Sequence, residues 1–396
     1  MLIFESILLF VAVFLLIPLW THLTLRPGFR LRGEFRFAEA AYAFVQASQR
    51  MLPWDVDGKT LAMIQASLAF TDAGEPRTGI HWAEKALKQA SSRPILKVFA
   101  QFAAAHANSS AGEVEPAIWH LNDALSLAGE LNNNTITANV LLLLGMKQGK
   151  AGDLNEARAT AERIASLDED LLHMAKLLEC ECWRIEGTYD EALAAAREAA
   201  NILGGVGFLA RSAKEKLRLY RLIDLTIGRV LLEAGRAREA EPYLVRSSDA
   251  LTYDRRLKML NDSLCVWMYA ATERPGEAHR LASSVRERLP DFSTDHMITT
   301  ACTNALGFAM LALGEYNSAL ANFEDCMQAL PDPVEEPQVW WGIAQCHRYR
   351  NDLSAYRDAL RRAVSRNLPT YHTARAREEL DTLKIPESPA PVSPAG

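Results

Sequence analysis

The chain has 396 residues, a formal net charge of -6 and six cysteines, and 49% of its residues are hydrophobic. That length would suit two ordinary domains, and a net negative charge argues against a nucleic-acid scaffold, which would show a basic face. Basic clusters such as Arg211-Lys214-Lys216-Arg218 read as solvated helix faces.

Met1 to Trp20 is nearly all apolar, with Glu5 its one charge. The run is close to the roughly 20 helical residues needed to cross a hydrocarbon core. No Lys or Arg precedes it, Leu19-Trp20-Thr21-His22 is a poor cleavage site, and no Cys follows for lipid attachment. The reading is an uncleaved transmembrane anchor over residues 1–24, set against a cleaved leader or a buried first helix. Arg26, Arg30, Arg32 and Arg36 all follow the run. The positive-inside rule then faces the remaining chain toward the cytoplasm, at the inner membrane if the source is bacterial. The expectation is a single-pass membrane protein that meets the lipid bilayer through residues 1–20.

A degenerate unit then recurs down the chain. Residues 33–59 read as a partial copy, with Gly33, Phe35, Ala38 and Tyr42 in place. Units follow from Thr60 (Ser67, Gly74, Gly79, Ala86), Val98 (Ala105, Gly112, Ala117, Leu121, Ala124) and Ala138 (Gly145, Gly152, Ala157, Ala161). Others start at His173 (Cys180, Gly187, Tyr189, Ala192, Ala196) and Arg221 (Gly228, Gly235, Ala240, Leu244). Met259 opens the next (Ala278, Ala282, Val285, Pro290), and Thr300 to Pro333 is the clearest (Gly307, Gly314, Tyr316, Ala319, Phe323, Pro331). The last starts at Pro337 (Ala344, Asn351, Leu360, Ala363), with Tyr356 oversized for its place. Counting Thr300 as position 1, positions 8 and 20 take small residues because two helices cross there. Position 24 is a large apolar residue facing the next unit, and Pro at position 32 ends the second helix. Spacing is uneven, with extra residues near 206–220 and 291–299. Tyr371 to Leu383 reads as a capping helix within 371–384, which an array needs to cover its last apolar side. The Pro-rich stretch 385–396 cannot pack and reads as a disordered tail.

These residues resemble the tetratricopeptide-repeat (TPR) family over about residues 60–370, as about eight units. The resemblance implies an all-α, right-handed TPR-type solenoid of helical hairpins, here preceded by one transmembrane helix. An irregular helical bundle is the rival architecture.

In the TPR family, first-helix positions near 2, 5, 9, 12 and 13 commonly line the concave groove. Carried over, they give Phe99, Phe102 and His106, then Asn139, Leu142 and Met146, then Glu181 and Arg184. Farther along they give Arg229, Trp267, Asn304, Phe308, Trp341, Gln345, Arg348 and Tyr349. Phe99-Phe102-His106 is one aromatic cluster. Trp267, Phe308, Trp341, Arg348 and Tyr349 form another, of the types that most often anchor interfaces. The rival reading packs these rings between adjacent units. The family's carboxylate clamp is not evident, which argues against a chaperone-tail role.

No catalytic motif survives inspection: there is no GxGxxG after a strand, no GxSxG and no HExxH. Gly145 to Ala151 has the wrong spacing for a phosphate loop and falls in a turn between helices. His106 and His120 could approach each other but lack partners at metal spacing. Cys180 and Cys182, two apart, point to different faces of a helix. The cysteines occupy packing positions and read as buried free thiols, which suit a reducing compartment. The chain is therefore expected to be non-enzymatic, with no cofactor, metal or nucleic-acid partner. The expected function is a membrane-anchored scaffold that binds a peptide or helix segment of a partner protein. The alternatives are a periplasmic or secreted TPR protein, or a regulatory subunit of an envelope-assembly or quality-control complex.

Overall fold

The computed structural model describes residues 20–90, 93–205, 213–250, 254–330 and 332–383. Among them every regular element is helical. A first helix, α1, covers 20–33, and α2 (Phe37–Arg50), α3 (Val56–Asp72), α4 (Pro76–Gln89), α5 (Pro94–Ser110) and α6 (Val114–Glu130) follow. Next come α7 (Asn134–Ala151), α8 (Leu154–Leu167), α9 (Leu172–Glu186), α10 (Tyr189–Gly204), α11 (Ala213–Glu233) and α12 (Ala237–Ala250). The array continues through α13 (Arg255–Ala271), α14 (Pro275–Arg288), α15 (His296–Ala312), α16 (Tyr316–Ala329), α17 (Glu336–Tyr349) and α18 (Leu353–Val364). The last described helix is α19 (Tyr371–Thr382).

Odd- and even-numbered helices pair as hairpins, and one turn chemistry closes each pair. A single residue with positive φ ends the odd helix, as Gly74, Gly112, Gly152, Gly187, Gly235 and Gly314 do. Phe35, Glu273 and Asn351 fill the same place without being glycine. The next amide reaches back five residues to a carbonyl, as Glu75 to Phe70 and Glu315 to Met310, both 2.9 Å. This is the bond that satisfies a helix's last carbonyls and starts the return helix. Gly152 and Gly187 are thirty-five residues apart and Gly187 and Gly235 forty-eight, so unit length varies.

Packing follows the small-residue positions. Ala105, Cys180 and Ala344 at position 8, and Ala117, Ala157, Ala192, Ala240, Ala278 and Ala319 at position 20, are all fully buried. So are Leu121, Leu244, Phe323 and Leu360 at position 24. Gly307 and Gly342 show why size matters: a Cβ on either would meet the Phe323 ring at 2.5 Å. Tyr356 fits its small-residue place at 5% exposure by turning its hydroxyl to Glu379 of α19. The six cysteines are all buried and free.

The array also coils back on itself. Lys150 Nζ at the end of α7 lies 2.6 Å from Asp332 Oδ2, 182 residues later. The turn at Gly152 packs under Leu368, that at Gly187 under Tyr371, and that at Gly74 under Phe292. The inner face is therefore not one open trough.

The expectation of a single-pass membrane protein is corrected: among the described residues no helix is long and apolar enough to cross a membrane. Residues 1–19, on which most of that reading rested, lie outside the described residues, as do Pro331 and the Pro-rich stretch 385–396. The segment after the apolar run belongs to the array. Leu25 is 3% exposed within the core that holds Phe44, and Arg32 reaches Gln65 at 2.6 Å and Asp72 at 3.5 Å. Of the arginines taken as topogenic flanks, Arg26, Arg30 and Arg32 thus lie on α1, packed against α2 and α3, and Arg36 lies in the turn before α2.

Candidate binding sites inside the array

Two concavities arise from the coiling. The first is a central chamber of about 300 Å³, lined from α7, α9, α11, α13 and the start of α15. Its belt is apolar: Met146, Met174, Leu177, Leu222, Leu260 and Met297 face it. Charged side chains stand at its two ends. At one, Lys150 meets Asp332, and Arg229 Nε lies 3.0 Å from Glu233 and its guanidinium 3.5 Å from Glu335. At the other, Arg218 bonds Asp254 at 2.9 Å, while Asp72 faces His106 at 3.4 Å. Arg256 Nε lies 2.7 Å from Asp295 as a charge pair, out of hydrogen-bond alignment.

Asp72, Lys150 and Glu233 are held in their ionised forms by their neighbours. Burial opposes ionisation of Asp72, but the hydrogen bond from His106 and the charges of His106, Arg32 and Arg218 outweigh it and hold the carboxyl well below its usual range. Burial likewise works against Glu181, and Arg184 overcomes it by charge and hydrogen bond. For Lys150, burial is outweighed by Asp332 and Glu335, and the ammonium is raised. Lys147 is the exception: burial, reinforced by Lys150, pulls it down to about 8.

The second concavity is a groove of about 630 Å³ between α11, α13, α15, α17 and the start of α19. Trp267 stacks on Phe308 at 4.9 Å, and Phe308 on Trp341 at 6.4 Å. Tyr316 and Tyr349 stack at 5.0 Å and nearly parallel. Glu379 on α19 fixes the far wall, accepting from Trp341 Nε1 at 3.2 Å and Gln345 Nε2 at 3.0 Å. His372 also lines the groove, and burial lowers it to about 4, so it is neutral at pH 7. An ionic partition separates groove from chamber. Arg184, 5% exposed, donates to Glu233 at 2.7 Å and to Glu181 at 2.6 Å.

The residues expected to share one groove are therefore divided. Trp267, Phe308, Trp341, Gln345 and Tyr349 line the aromatic groove. Asn304 lies beneath it, donating to Gln338 at 3.0 Å, and Arg348 is exposed beside it in sequence. Leu142, Met146, Glu181 and Arg229 face the chamber, and Arg184 is consumed in the partition. His106 pairs with Asp72 at the chamber's end, while His120 bonds Gln101 rather than His106. Phe102 packs into the core between α5 and α6, Phe99 is 39% exposed, and Asn139 is exposed with its amide on the Thr135 carbonyl. Met174 and Leu177 went unnamed from sequence, although positions 2 and 5 of the unit from His173 point to both. Nothing local signalled that Tyr371 and His372 of the terminal helix would wall the groove.

No family model matches the sequence. Among solved structures the chain is similar to a Rap protein complexed with Competence and Sporulation Factor. The two share 11% identity, over 91% of this chain and 99% of that one, at a TM-score of 0.64. The fold is of the TPR type. Other TPR-like matches are the apo form of RapI, at 12% identity, 92% and 99% coverage and a TM-score of 0.48, and a tetratricopeptide repeat protein from Parabacteroides merdae, at 13% identity, 81% and 97% coverage and a TM-score of 0.34.

Proposed function

We propose that this TPR-type array is a non-catalytic recognition scaffold that seats a peptide or helix segment of a partner protein in the aromatic groove. One observation carries the reading: Trp267, Phe308 and Trp341, far apart in sequence, form a continuous ring stack along one wall of the groove, with Trp267 and Trp341 half-buried on either side of the buried Phe308. Aromatic side chains in a pocket are what usually anchor a partner segment. The groove's buried charges are already committed, since Glu233 is held by Arg184 and Arg229 and His372 is neutral. It therefore suits apolar anchor side chains, with the exposed Tyr349 in its lining to meet the segment's polar parts. A Rap protein of similar fold was solved with Competence and Sporulation Factor bound, and by analogy this array would hold a partner of its own.

The test is crosslinking and pull-down with the full chain, comparing wild type with Trp267→Ala and Trp341→Ala. Truncating an anchor of this kind costs about 2 kcal/mol or more, so affinity should fall roughly thirtyfold, and recovery at limiting concentration with it, for at least one variant with its circular dichroism unchanged. Undiminished recovery with both folded variants would sink the assignment.

A further inference from the structure

The central chamber has a different chemistry from the groove. On α11, Arg218 and Arg229 mark its two ends and lie eleven residues apart, about 16 Å along a helix. Between them the lining is almost wholly Leu, Met, Ile and Ala. The two hydroxyls in that belt are taken: Thr226 donates to the Leu222 carbonyl at 2.9 Å, and Thr300 to that of Ala329 at 3.2 Å. At the ends, each cation of the lining faces a carboxylate: Lys150 with Asp332, Arg229 with Glu233, Arg218 with Asp254, Arg256 with Asp295. Met146 is nonetheless 41% exposed, on the inner side of the array, and methionine adapts readily to an irregular guest.

We infer that the chamber is a second binding site, distinct from the aromatic groove, for an uncharged and largely apolar small molecule. Three features exclude other occupants. Among the described residues a charged ligand would find no uncommitted counter-ion and would pay desolvation without return. A polypeptide threaded through the belt would bring one amide and one carbonyl per residue into a lining with no free partner for them. The volume, about 300 Å³, matches the lower end of small-ligand pockets. The Lys150–Asp332 contact, which joins the end of α7 to the segment leading into α17, closes one side of the chamber over such a guest.

The probe is N-phenyl-1-naphthylamine, a neutral apolar dye that fluoresces when buried, titrated into the intact protein. Saturable binding of one dye per chain is expected. Ala301→Phe and Leu260→Trp each fill the belt and should weaken binding at least tenfold, while Trp341→Ala in the groove should leave it unchanged. The anionic analogue 8-anilinonaphthalene-1-sulfonate should bind at least tenfold more weakly than the neutral dye. A mutation-free readout stands beside these: with carbon-13-labelled methionine methyls, the dye should shift Met146, Met174 and Met297 and spare the other methionines. No saturable binding, binding lost in Trp341→Ala but kept in the folded filled variants, tighter binding of the anion, or shifts at other methionines would each overturn the assignment.

Discussion

Lys147 offers the sharpest test of how the coiled array is held. Its side chain is 4% exposed, with Nζ 3.7 Å from Asp332 Oδ1, while Lys150 holds the other oxygen at 2.6 Å. Burial, and then the like charge of Lys150, pull Lys147 from its ordinary 10.5 down to about 8. A proton held more weakly in the folded chain than in the unfolded one costs stability wherever both states are protonated, here below pH 8. Between pH 8 and 10.5 the folded lysine sheds its proton first, so the cost fades and stability rises with pH. The gap corresponds to roughly 3 kcal/mol at most. Lys147→Met removes that cost and keeps an apolar stem of similar length, but it takes one cation from Asp332, which returns part of the penalty. We expect a net gain of about 1–2 kcal/mol at neutral pH, shrinking toward zero by the ordinary lysine range. Urea unfolding followed by circular dichroism, at neutral pH and again near the top of that window, measures it. A variant less stable than wild type at neutral pH, or a difference that stays constant with pH, refutes the reasoning.

Other substitutions probe the packing rule, the partition and the thiols. Gly342→Ala drives a Cβ to 2.5 Å from Phe323, against which Gly307 also packs closely; a loss of about 1–3 kcal/mol is expected, partly recovered by adding Phe323→Leu, and an unchanged Tm would count against it. Arg184→Met leaves Glu233, itself 3% exposed, to Arg229 alone; it should cost about 1.5–3 kcal/mol in a denaturant titration, with Glu233→Gln in the same chain restoring part of it. Burial pushes Cys180, Cys182, Cys265, Cys302 and Cys326 up to about 12 and Cys346 up to about 11. A thiol-exchange reagent should therefore label the native protein negligibly at neutral pH and all six cysteines in denaturant; fast native labelling of any one would disprove its placement.

What lay open in the linear chain was what near neighbours decide. Ala319 at position 20 and Phe323 at position 24 meet partners within their own hairpin or the next, so their size requirements repeat and can be read as a period. Even there the signal was incomplete. Gly33 marks the first turn two residues early, since Phe35 takes the positive φ and Ala40 and Phe44, not Ala38 and Tyr42, are the buried pair, while Glu273 has no glycine to mark its turn. The aromatic stack was legible because each ring sits at an inward position of its own first helix.

The division of the inner face was not legible, because it depends on rotation accumulated over many units. No local pattern tells Lys150 that it will meet Asp332, or Gly187 that Tyr371 will cover it. Small differences in unit length, such as the long step between Gly187 and Gly235, add up along the array and set how tightly it coils. The sequence alone thus determined the hairpins, their small-residue contacts and the inward placement of the aromatic rings. Tertiary structure alone decided that Met146 and Arg229 face a chamber while Trp267 and Trp341 face a groove. It decided too that Arg26, Arg30 and Arg32 belong to a docked helix and Arg36 to the turn after it, because the contacts responsible join residues whose spacing carries no period.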